Sequence, residues 1–264
     1  MDTAALIAAL LQAATLTGTD VLADARARNG FAAWYDRRST LVLEAVDEGV
    51  VQRREAGVLE RTDPRGEHRT LFEYTAPDDV RGTRFLHVSP RGRRDEWWTS
   101  TRATRRARKL GGTAGGLQRD EIFLGRDMNY GDLELLVRVQ QWSEREGDVT
   151  LDDDAPCGDA TCDRVIIVPA KDNDEFPCAR HRLWFTRPDR LLRRAEIHDA
   201  EDRLMTTVDC DDYFATGRFM TARSCVIEHP RTGRRVTITV KEIAYDVGLG
   251  DDLFTVGHLS EGAD

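Results

Sequence analysis

The sequence has no apolar run long enough to cross a bilayer as a helix, which takes about 20 consecutive apolar residues. It has no excess of basic residues either. Lys and Arg number 38 against 47 Asp and Glu, for a formal net charge of −9. Non-specific nucleic-acid binding depends on Lys and Arg displacing counterions, so this balance argues against that class of function. None of the five cysteines forms the Cys-x-x-Cys pair of a zinc site or a thioredoxin-like redox centre. No His-Glu-x-x-His is present, no Gly-x-Ser-x-Gly elbow, and no glycine loop closing on Gly-Lys-Ser/Thr. Zinc proteases, serine hydrolases and P-loop enzymes are therefore without their signatures.

What is present is ample core material. Apolar residues make up 40% of the 264, enough for one large domain or two small ones. The cysteines, Cys157, Cys162, Cys178, Cys210 and Cys225, all lie in the second half. An odd count leaves at least one thiol unpaired within a monomer. A local bridge between Cys157 and Cys162 is sterically allowed, and both free thiols and one or two disulfides stay open. The opening stretch "MDTAALIAALLQAATLTG" carries an apolar segment from Ala4 to Leu16 without the basic residues that precede one in an export signal. It reads either as an atypical signal or as an amphipathic first helix.

Residues 19–33 have helical spacing, with Val21, Leu22 and Ala25 on one side, and Asn29-Gly30 is a helix stop. Then the period changes to two. Short strand-like runs follow at 39–47, 50–63, 69–77, 83–90, 94–101 and 104–110, each set off by Gly, Pro, Asp or Ser-Thr punctuation. Residues 111–136 break this rhythm with "GGTAGG", a flexible hinge, and "IFLGRDMNYGDLEL". Strands resume at 137–144, 164–170, 179–187, 191–199, 203–214, 217–229 and 234–247. So many short strands without helix-length crossovers predict an antiparallel sandwich or barrel-like sheet and argue against a doubly wound α/β fold.

No motif singles out a reaction. The segment "LDDDAPCGDATCD" (151–163) lacks the spacing and closing Glu of a calcium loop and reads as a solvated acidic loop. The six histidines show no shared helical face. No metal ligands and no catalytic residues are expected. The run "TRATRRARK" collects Arg102, Arg105, Arg106, Arg108 and Lys109. It reads as a charged edge strand that resists aggregation, or as a docking strip for an acidic partner or anionic head groups.

Phe123, Gly125, Asp127, Tyr130, Asp132 and Leu133 resemble the F-x-G-x-D-x-x-Y-x-D-L element of the outer-membrane lipoprotein-sorting protein family, similar in fold to the periplasmic carriers LolA and LolB. "LFEYTAPDDVRGTRFLHV", "DEWWTSTRATRRARKL", "LWFTRPDRLLRRAEIHDAEDRLMTT" and "DDLFTVGHL" resemble further segments of that family in the same order. Departures are Thr-Ser-Thr at the usual Tyr and Pro positions and Asp202-Arg203 where Gly is commoner. The resemblance spans roughly residues 35–260. It implies a mainly β protein, an antiparallel half-open β-barrel with helical lid elements, in the periplasm, without a cofactor.

On that basis residues 1–34 form a helical segment, either signal or lid, and 35–264 a single half-barrel domain with a lid and hinge insertion at 111–136. Phe123, Gly125, Asp127, Tyr130, Gly131 and Asp132 are the expected lid and hinge, the glycines permitting bends and the aspartates capping N–H groups. Strand alternation gives an inward apolar set of Phe72, Tyr74, Leu86, Val88, Trp98, Leu183, Phe185 and Ile197. A slip of one residue inverts any strand's contribution. The implied function is a periplasmic, non-enzymatic carrier of lipid or lipoprotein acyl chains between envelope membranes, with a membrane transporter or outer-membrane receptor as partner. One alternative is an envelope sensor or transporter-accessory protein that uses the half-barrel to bind a protein. Another is a lipid or glycan hydrolase with two carboxylates in the hollow.

Overall fold

The computed structural model describes residues 16–29, 33–89, 96–104, 106–110, 147–158, 160–170 and 179–261. The expected lid and hinge at 111–136, the strand expected at 137–144, Arg105 and Cys178 lie outside them. The described chain opens with α1 (Gly18–Asn29), then β1 (Asp36–Asp47), β2 (Val50–Thr62), β3 (His68–Ala76), β4 (Arg84–Ser89), β5 (Glu96–Ser100) and β6 (Arg108–Leu110). It continues with β7 (Gly147–Cys157), β8 (Ala160–Pro169), β9 (Arg180–Thr186), β10 (Leu192–His198), β11 (Leu204–Thr216), β12 (Phe219–His229) and β13 (Arg234–Tyr245). A 3-10 turn (Asp251–Phe254) and the short α2 (Val256–Ser260) close it.

These strands make one antiparallel sheet in the order β6-β5-β4-β3-β2-β1-β13-β12-β11-β10-β9-β8-β7. The chain meanders outward from β1 to one edge, resumes at the opposite edge, and meanders back until β13 pairs with β1. Among the described residues the edges do not pair with each other, so the sheet is half-open. The turns follow local chemistry. Glu48 and Gly49 both take positive φ (48° and 80°) in the two-residue link of β1 and β2, the geometry that matches strand twist.

The acidic segment 151–163 is not a solvated loop. It is most of the β7–β8 hairpin, tied across its turn by a disulfide between Cys157 and Cys162. Asp is a poor strand former, but here tertiary ion pairs outweigh propensity. Asp152 pairs with Arg164, and the buried Asp163 accepts from Arg187 at 3.0 Å and from Arg190.

α1 lies on the inner face, burying Gly18, Val21, Leu22 and Ala25 at the i, i+3, i+4, i+7 spacing of one helical stripe. Thr17 and Asp20 cap its start reciprocally: the Asp20 N–H donates to Thr17 Oγ1 at 3.1 Å and the Thr17 N–H to Asp20 Oδ2 at 2.9 Å. Gly18 is required by contact, because a Cβ there would sit 2.7 Å from the Thr150 carbonyl oxygen. The C-terminal end is pinned as well. Asn29 Nδ2 donates to the Asp189 carbonyl at 3.1 Å, and the Met220 N–H donates to Asn29 Oδ1 at 3.3 Å.

The outer face of β3 to β5 is covered by the C-terminal segment. Leu249, Phe254 and Leu259 pack on Leu71 and Leu86, with Val88 and Trp98 beside them. The fully buried Asp36 carboxylate anchors that segment, accepting from the N–H groups of Val247, Gly248 and Leu249 at 2.7, 3.1 and 2.9 Å.

Candidate functional site

The inner face divides into two parts. Over β2 to β5 it is filled by aromatic rings. Phe72 and Tyr74 meet edge-to-face at 4.8 Å between centroids, and Phe85 packs on both at 6.3 and 6.4 Å. Trp97 stacks on His87 at 4.0 Å. Over β9 to β13 and β1, beneath α1, the face holds a hollow of about 240 Å³. Its floor is aliphatic, Leu41, Ala195, Val208, Ala222, Ile238 and Val240, with the two alanines the small members. The disulfide joining the cross-strand neighbours Cys210 and Cys225 forms part of it. Leu22 and Ala25 of α1 close one side, with Arg26 and Asn29 farther along the helix.

Polar groups gather where β13, β1 and β2 run side by side, and Tyr245, Arg37, Ser39 and Glu60 line the hollow there. Strand register causes this: Arg37 is directly opposite Glu60, and Tyr245 opposite Arg37. Arg37 Nε donates to Glu60, and its guanidinium lies over the Trp34 ring at 4.8 Å. His68, directly behind, has Nε2 at 3.7 Å from Glu60 Oε1 and Nδ1 at 3.0 Å from Thr62 Oγ1.

Burial alone raises the Glu60 carboxyl. The Arg37 charge and the hydrogen bonds from His68 and Arg37 outweigh it, and the carboxyl titrates at about 2. Burial pushes His68 below its ordinary value. At neutral pH the wall is thus a buried ion pair backed by a neutral imidazole. Arg190, at the far end of the hollow, is held by Asp24 at 3.2 Å and by Asp163. Tyr213 Oη donates to the Leu192 carbonyl at 2.5 Å, and burial raises its phenol. Among the described residues Glu60 is the one carboxylate lining the hollow. No metal-binding group of three His, Cys, Asp or Glu occurs among the described residues.

The eight residues expected to face inward split between the two faces. Phe72, Tyr74, Leu183, Phe185 and Ile197 belong to the inner cluster, and of these Phe185 lines the hollow. Leu86, Val88 and Trp98 lie instead in the outer cluster under the C-terminal segment. The inner residues of β4 and β5 are Phe85, His87 and Trp97, because Phe72 pairs with Phe85 and Leu86 with Trp98. The reason is double coverage. Both faces of β4 are buried, four residues running from Arg84 to His87, so alternation carries no information there.

Of the basic run, Arg102, Arg106, Arg108 and Lys109 are exposed near the β5–β6 edge, with Lys109 on Glu96 at 3.1 Å. The lid and hinge residues Phe123, Gly125, Asp127, Tyr130, Gly131 and Asp132 are outside the described residues. The residues that shape the hollow, Ala195, Val208, Ala222, Ile238 and Val240, gave no signal of their own in the sequence. The signal that does reach them is cross-strand register, which one sequence does not display.

Residues 66–261 match the model of a family described as "Uncharacterized protein". No curated protein matches the sequence. Among solved structures, an outer membrane lipoprotein-sorting protein domain from Vibrio parahaemolyticus superposes with a TM-score of 0.78 at 17% identity, covering 92% of this chain and 98% of that one. A DUF1329 family protein from Desulfovibrio piger gives 0.79 at 23% identity, covering 92% and 97%. A LolA superfamily protein from Nitrosomonas europaea gives 0.67 at 14% identity, covering 91% and 98%. The half-open antiparallel sheet is therefore the lipoprotein-sorting, LolA-like fold.

Proposed function

This chain belongs to the family matched over residues 66–261, and we propose that it is a periplasmic, non-enzymatic carrier that takes acyl chains of lipoproteins or lipids into the hollow beneath α1. One observation carries the reading: an apolar hollow of about 240 Å³ on the inner face of a half-open sheet, floored by aliphatic side chains and roofed by a helix. Hydrocarbon entering it leaves water, which stabilises the complex by about 0.8 kcal/mol per buried CH₂. The likeness to a lipoprotein-sorting domain and a LolA superfamily protein supports the same reading at the level of fold. The two disulfides favour an oxidising compartment, and the periplasm is one. No helix among the described residues is long and apolar enough to cross a membrane.

In this reading Arg37, Glu60 and Tyr245 give the hollow a polar end, and the aliphatic floor receives the tail. α1 roofs the tail. The exposed Arg102, Arg106, Arg108 and Lys109 support a second use, docking on an acidic envelope partner, which is the sensor or transporter-accessory alternative.

Native mass spectrometry of the protein purified from its own cells, followed by lipid extraction, separates these readings. A reproducible acyl species released on denaturation is the expected result. A reproducibly lipid-free protein that co-purifies with a membrane partner would replace the carrier with the sensor.

A further inference from the structure

The size of the hollow, and not only its polarity, constrains the guest. A cavity of roughly 150 Å³ accommodates benzene, a molecule of six carbons. At the same packing the 240 Å³ beneath α1 holds about ten carbons. That is a single medium-length chain. The described walls of the hollow are parts already committed elsewhere. The floor strands β11 and β12 are bonded along their length and bridged by Cys210–Cys225, while β12 and β13 pair only from Ser224 and Thr239 outward and part where Ala222 and Val240 line the hollow. The roof is fastened at both ends, at Gly18 against the Thr150 carbonyl and at Asn29 to Asp189 and Met220. Arg190, gripped by Asp24 and Asp163, lines the far end. The Arg37–Glu60 pair lines the near end.

We propose that the hollow is a single-chain site, selective for an amphiphile with one acyl chain of about ten carbons and closed to the simultaneous entry of several chains. This rests on the carrier reading and narrows it: the guest is a free fatty acid or a lysophospholipid, not a multi-chain lipid anchor inserted whole. Both share the same recognised part, one hydrocarbon tail. The small residues Ala195 and Ala222 set the bore, because any larger side chain at either position projects into the space the tail occupies.

The test is a chain-length series. Saturated fatty acids from six to sixteen carbons, one lysophospholipid series and a synthetic triacylated lipopeptide are titrated against the full chain by isothermal calorimetry. Affinity should rise about fourfold per added CH₂ and level off near ten carbons. The lipopeptide should bind no more tightly than the best single-chain ligand. The fatty-acid and lysophospholipid arms share the break point if the tail alone is read, and the tighter arm identifies the source.

Ala222→Phe should shorten the break point or abolish binding at unchanged thermal stability, since a ring takes more than half of the space. Val240→Phe, on the neighbouring strand, does the same by another route should the first variant misfold. An affinity that climbs steadily to sixteen carbons, a preference for the lipopeptide, or a break point unmoved by both variants overturns the single-chain site but leaves the carrier standing. Failure of every acyl ligand to bind overturns both.

Discussion

Phe72, Tyr74, Phe85 and Trp97 on one side of the inner face, and Ala195, Val208, Ala222 and Ile238 on the other, hang from the same sheet. Hydrogen bonding holds neighbouring strands about 4.8 Å apart on the aromatic side, whereas on the other side β12 and β13 pair only as far as Ser224 and Thr239 and part beyond them. The aromatic side is packed and the other side holds the hollow, through the parting of β12 from β13 together with short side chains at Ala195 and Ala222. A binding site in this fold begins where two neighbouring strands part. It needs small residues on a few strands and a helix whose ends are tied so that it does not collapse onto them. The ion pair of Arg37 and Glu60 marks the border between the two regions.

The comparison predicts unequal responses to truncation. Tyr74→Ala on the solid side should cost about 4 kcal/mol of unfolding free energy, since a fully buried ring leaves a cavity that its neighbours do not refill. Urea titration measures this. A loss near 1 kcal/mol would mean the aromatic side is loosely packed and the contrast false.

At the border, Glu60→Gln should cost about 3 kcal/mol at neutral pH, because the Arg37 charge is left half-buried without its counter-charge. It should also change the acid response. The Glu60 carboxyl titrates at about 2 in the fold against 4.5 ordinarily. Its contribution is complete above 4.5 and is lost as pH falls from there toward 2. His68, lowered by burial, has the same sign: its contribution is present above 6.5 and declines as pH falls below it. The wild type should therefore lose stability in two stages on acidification, and the Gln variant should lose less in the lower one. Asp24 and Glu196, also held below their ordinary values by hydrogen bonds, still contribute to that stage. Thermal melts across pH 3 to 8 read both.

The smallest effect belongs to the hollow. Ile238→Ala should cost about 2 kcal/mol, the low end for such a change, because part of that side chain already faces open space. The same substitution should weaken acyl-chain binding, which Tyr74→Ala should leave unchanged in any fraction that stays folded. Equal losses of stability at the two positions would erase the distinction between solid and hollow.

Much of this architecture was legible from local pattern. The period of two, the turn residues and the helix stop at Asn29-Gly30 foreshadowed the strands and α1, which ends at Asn29. The β7–β8 hairpin was not legible, because a run of aspartates looks like loop until Arg164 of the facing strand and Arg187 and Arg190 of the β9–β10 turn are brought to it. Leu86, Val88 and Trp98 were assigned to the wrong face for a related reason. The C-terminal segment that covers them lies more than 150 residues away in the chain and erases the alternation it would otherwise sharpen. The Cys210–Cys225 pairing likewise emerges from strand register, not from spacing.

The sequence by itself determined that this chain makes an antiparallel sheet with a helix before it, because backbone period, turn chemistry and capping are properties of residues within a few positions of one another. Tertiary structure alone decided where the hollow lies, what lines its ends and which face each side chain of β4 and β5 serves. Those depend on register between strands and on the bulk of side chains meeting from distant parts of the chain, and neither is written in any short stretch of it.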